Sequence, residues 1–100
     1  MILIYITNSS AESAKNIARH LLGKKLIACA NIYSPIQSMY LDNGIAEETE
    51  AVLIAKTKDS YFEKVKKEVE HIHPYTIPCI LKIHVKANKK YEDWMEKELK

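Results

Sequence analysis

Leu26-Ile27-Ala28-Cys29-Ala30-Asn31-Ile32-Tyr33, then Ser34-Pro35, then Ile36-Gln37-Ser38-Met39-Tyr40-Leu41, then Asp42-Asn43-Gly44 is the stretch that decides the fold. Residues 26–33 are a short apolar run suited to a strand, and Pro35, which has no N–H to give to a ladder, marks an edge or a bend. Residues 36–41 alternate apolar with polar, and Asp42-Asn43-Gly44 readily takes the positive φ that tight hairpin turns demand. Residues 51–57 form the next apolar run, so two strands stand back to back in the middle of the chain. Between turn and run, Glu47, Glu48 and Glu50 read as a solvated arm of the same hairpin.

Outward from this hairpin, strands and helices alternate. Residues 1–7, Ile-rich and closed by Asn8-Ser9-Ser10, predict a buried first strand. Ser9 or Ser10 then caps a helix whose Ala14, Ile17, Ala18, Leu21 and Leu22 recur at three- and four-residue steps. Gly23, tolerant of a left-handed cap, ends it beside Lys24 and Lys25. After the hairpin, Ser60-Tyr61-Phe62-Glu63 fits a capping box for a second helix carrying Phe62, Val65, Val69 and Ile72 and ending near His71. Pro74 and Pro78 turn residues 73–78 into a loop. In residues 79–85, Leu81, Ile83 and Val85 alternate with Lys82 and His84, which predicts a strand with one buried face. Asn88 caps a last helix bearing Tyr91, Trp94, Met95 and Leu99.

The order βαββαβ with an extra C-terminal helix predicts an α+β domain over residues 1–100, a ferredoxin-like sandwich with a four-stranded antiparallel sheet. Both main helices belong on one sheet face, and only one short helix is left for the other. Association with further copies of the chain is the physical expectation.

A net charge of +2 from 15 basic and 13 acidic side chains gives no single-sign field, so neither nucleic acid nor a membrane surface is expected as a partner. The opening apolar run has no basic leader and is too short for a signal h-region or a membrane span. Cys29 and Cys79 form no Cys-x-x-Cys unit, and reduced thiols in the cytoplasm are expected.

Ala18-Arg19, residues 26–32, Ser38-Met39-Tyr40 with Gly44, Lys56-Thr57, His73-Pro74-Tyr75 with Pro78, and Tyr91-x-x-Trp94 resemble CutA proteins in order and spacing over nearly the whole chain. The resemblance implies a ferredoxin-like homotrimer, with long bent strands reaching between subunits, and a link to tolerance of divalent cations, notably copper. It also implies a metal site near Cys29 and His73. The hairpin departs from the family's pattern at Asp42, Ile45 and Ala51, so the fold transfers more firmly than the trimer contacts or a ligand site.

For metal, the soft or borderline donors are Cys29, Cys79, His20, His71, His73 and His84, with acids near Glu47 to Glu50, an inventory that suits copper or another divalent ion without making a cofactor obligatory. Cys29 in an apolar strand also reads as a small hydrophobe, and His71 as a dipole-compensating helix end. His73-Pro74-Tyr75 has a structural account too, with Pro74 fixing the helix exit and Tyr75 burying its ring while its hydroxyl finds a partner. Tyr40, Lys56, Tyr75, Tyr91 and Trp94 are candidate ligand-binding or interface residues. No phosphate loop, nucleophile elbow or zinc-protease histidine pair is present, so an enzyme is not expected. The competing expectation is a PII-like regulatory module that binds a small molecule or a protein partner.

Overall fold

A computed structural model describes residues 1–99. The elements are β1 (Ile2–Asn8), α1 (Ala11–Gly23), β2 (Cys29–Leu41), β3 (Ile45–Thr57), α2 (Phe62–Ile72), β4 (Ile80–His84) and α3 (Lys89–Glu98). The strands form one sheet in the order β2-β3-β1-β4, with every neighbouring pair antiparallel. The Pro35 expectation is met twice over, since β2 is an edge strand and its pairing with β3 slips between Tyr33 and Ile36. Ser34-Pro35 has a cis peptide bond there.

Alternation along β1 assigns the two sheet faces. Ile2, Ile4 and Ile6 are fully buried and form one core with Leu53 and Ala55 of β3, Ala14, Ile17 and Leu21 of α1, and Val65 and Val69 of α2. Leu3, Tyr5 and Thr7 point the other way and are only half-buried. Register places Ile54 and Leu81 beside Tyr5, and Lys56 and Ile83 beside Leu3, so these share that second, open face. Leu81 and Ile83 are exposed, against the buried strand face expected of them; it is Ile80 that packs against the core. Alternation alone cannot say which face of a strand the chain's own helices will cover.

The slip in β2 changes which of its residues share a face with β3. Tyr33 pairs with Val52 and Ile36 with Glu50, so three steps on β2 match two on β3. Odd-numbered residues point to the open face before the bulge, and even-numbered Ile36, Ser38 and Tyr40 after it. Past the bulge the β2–β3 arm leaves the helices behind, and Met39, Leu41 and Ile45 near its tip are exposed. Asn43 and Gly44 make the turn with positive φ, as expected.

Helix ends account for two corrections. Ser10 caps α1, accepting from the Ser13 amide at 3.1 Å, but Gly23 is not the left-handed residue at the other end. That position is Lys25 (φ +57°), with its N–H on the Leu22 carbonyl and the Leu26 N–H on the Leu21 carbonyl, both at 3.0 Å. This is the paired-bond pattern of a Schellman end, displaced two residues past the glycine. Ser60 makes no capping box, because Asp59–Tyr61 forms a 3₁₀ turn and α2 starts at Phe62 without a side-chain cap.

Candidate functional site

Two side-chain clusters lie at opposite ends of the open face. At the first, β2 and β3 set Cys29 opposite Lys56, and β1 adds Leu3 in the same row. Tyr91 of α3 leans onto this row, with the Lys56 Nζ 5.4 Å from its ring centre, a cation–π separation. Its phenol is raised above the usual value, first by burial and then by its hydrogen bond with Cys29. Trp94, one turn on, stacks at a tilt on Tyr91 with centroids 5.4 Å apart and stays partly exposed. A cleft of about 280 Å³ opens here between Leu3, Lys56, Val85 and Tyr91.

At the second end, His73 leaves α2 and is 7% exposed. Its Nδ1 accepts from the Tyr75 N–H at 3.1 Å, so its Nε2 carries the proton and donates to the Thr7 carbonyl at 2.8 Å. Both ring nitrogens are therefore occupied. The Tyr75 hydroxyl donates to Glu50 at 2.6 Å, which meets the expectation that it would find a partner. Burial and the adjacent carboxylate push that phenol well above its ordinary range. Glu50 is only 8% exposed and so is not part of a solvated arm. Here the turn after α2 brings a hydroxyl over a strand position on the open face, a contact with no local sequence signal; the nearest hint is that an acid stands next to Ala51, where the family's pattern has one. Tyr40 lies further along the arm, and its hydrogen bond with Glu48 raises its phenol. Asn8, fully buried at the end of β1 in register with Ala51, donates to the Ile6 carbonyl at 3.1 Å, while its Oδ1 has no partner among the described residues.

These placements bring Cys29, Lys56, Tyr91 and Trp94 together, and His73 with Tyr75, but not the two groups with each other. Along β1 the row of Cys29 is at Leu3 and the contact of His73 is at Thr7, four residues and roughly 13 Å apart. Among the described residues no group of three or more His, Cys, Asp or Glu side chains is gathered closely enough to hold a metal ion. Cys29 and Cys79 are both free thiols.

The family model for CutA1 divalent ion tolerance proteins matches residues 2–98. A divalent-cation tolerance protein CutA from Archaeoglobus fulgidus is 44% identical over 95 residues, covering 93% of this chain and 92% of its own length. A solved CutA structure from the same organism, described as periplasmic, superposes with a TM-score of 0.95 at 42% identity over 100% of both chains. A point mutant of CutA1 from Pyrococcus horikoshii superposes with a TM-score of 0.96 at 36% identity, covering 100% of this chain and 99% of the other.

Proposed function

Since this chain belongs to the CutA1 divalent ion tolerance family, we propose that it acts as a cytoplasmic homotrimer that takes up divalent metal, copper foremost, without catalysing a reaction. The observation that carries this reading is the open sheet face. Tyr33, Leu81 and Ile83 are exposed there, and the β2–β3 arm extends past the helices with apolar residues at its tip. The strand order β2-β3-β1-β4 supports a ferredoxin-like sandwich, and copies of the chain offer the cover that its own helices do not.

One chain supplies only part of a copper site. Cys29 offers a soft sulfur, but His73 has to release the Tyr75 amide before its Nδ1 can reach a metal. A trimer that sets the Cys29 end of one chain against the His73 end of the next would complete the donor set. Native mass spectrometry with and without Cu(II) tests both parts. A trimer with a stoichiometric copper load that disappears in the Cys29→Ser/His73→Gln double variant supports the reading. A monomer refutes the assembly, and a trimer that ignores copper refutes the uptake.

A second reading rests on the cleft beside Tyr91. Its apolar walls and the Lys56 ammonium suit a small organic anion, as expected of a regulatory module. A thermal-shift screen of organic acids tests it, since a ligand bound by the folded state raises Tm by mass action.

A further inference from the structure

A groove of about 1350 Å³ runs between the end of α1 and one face of α2, and none of its lining residues belongs to the Cys29 or His73 cluster. Its charged groups are Lys24 and Lys25 after α1, and Lys64, Lys67, Glu68 and His71 on α2. Four ammonium groups against one carboxylate give the groove a net +3 at neutral pH, in a chain whose whole net charge is +2. The single acid is already engaged. Glu68 accepts from Lys24 at 2.6 Å and from His20 at 2.9 Å, and these bonds hold its carboxyl at about 2. Among the described residues no carboxylate lies within ion-pair distance of Lys25, Lys64 or Lys67.

Lys25 adds an independent observation. It holds φ +57°, a left-handed conformation that glycine adopts at lower cost, and its side chain lines the groove. A cation is thus kept at a helix end where glycine would serve the backbone at lower cost.

The geometry limits what fits. Lys64 and Lys67 are one turn apart, and the lining face of α2 from Lys64 to His71 extends roughly 10 Å. Ammonium groups act as point charges without the planar fork that selects carboxylates, and the only arginine, Arg19, pairs with Glu12 on α1. We infer that this groove binds a condensed phosphate chain, either free inorganic polyphosphate or the phosphates of a nucleotide. The groove is open to solvent and not an enclosed cavity, which suits an extended anion more than a small molecule that must be engulfed.

Titration calorimetry of the full chain with inorganic tripolyphosphate, and separately with ATP, tests this. Saturable binding of tripolyphosphate is expected, weakened about tenfold or more in Lys64→Gln/Lys67→Gln. It should be unchanged in Lys15→Gln/Lys90→Gln, which removes the same charge elsewhere on the surface. Lys25→Gly should raise Tm and weaken tripolyphosphate binding together. ATP binding no tighter than tripolyphosphate assigns the site to the inorganic chain, and tighter ATP binding assigns it to a nucleotide; both support the proposal. No saturable binding, equal weakening in the two double variants, undiminished affinity in Lys25→Gly, or tighter binding of an oligoglutamate peptide overturns it.

Discussion

On the helix side of the sheet Ile2, Ile4, Ile6 and Leu53 are sealed at 0% exposure, whereas on the other side Leu81 and Ile83 keep 50% and 45% of their surface. The residue types are alike and the strands belong to one sheet. The difference lies in what packs on them: α1 and α2 complete one face within the chain, and among the described residues nothing comparable covers the other. On the proposed reading one face is a matter of folding and the other of association, so substitutions on the two should fail in different assays.

The sharpest contrast comes from truncating the sealed face. Leu53→Ala should cost about 2–5 kcal/mol in urea-induced unfolding, because removing a fully buried leucine leaves a cavity the core cannot fill. Ile83→Glu on the open face should leave the far-UV circular dichroism unchanged and convert the proposed trimer to monomer in light scattering. If Ile83→Glu instead unfolds the chain, the distinction between the faces is lost. Between these extremes lies Tyr75→Phe, which leaves the nearly buried Glu50 carboxylate without its donor and should cost about 1–3 kcal/mol in thermal unfolding. The smallest effect belongs to the exposed clamp between α1 and α2. The Glu68 carboxyl lies below its ordinary 4.5, at about 2, so its ionised form favours the folded state. That contribution is present above pH 4.5 and fades as the pH falls towards 2. An acid titration of Glu68→Gln should show a shallower loss of Tm across this window than the unaltered chain, with the gain discounted for solvent screening.

Elements with a strong local signal were legible in the sequence. The Ile run of β1, the stripe and Ser10 cap of α1, and the Asn43-Gly44 turn all follow from spacing and backbone preference. The errors fall where a distant contact decides. Gly23 suggested the left-handed end of α1, yet the pull of Leu26 into the core puts that conformation on Lys25. Ser60 matched a capping pattern, but the chain enters α2 through a 3₁₀ turn. Glu50 resembled its exposed neighbours until Tyr75, 25 residues later, covered it. The candidate site divides similarly. The grouping of Tyr91 with Trp94 follows from helical spacing, whereas the bond that fixes Nε2 of His73 depends on Thr7, 66 residues away. No pattern within a single element announces either partner.

The bulge at Ser34-Pro35 works like a frameshift in a text written in two alternating letters. Everything beyond it on β2 is read in the opposite phase, which is why Tyr40 and Glu48 are hydrogen-bonding neighbours. The outer arm therefore has a counting rule. Loss of one residue at the bulge would exchange the two sides of the strand as far as the turn, while paired gains or losses beyond it would lengthen or shorten the arm and leave its message intact.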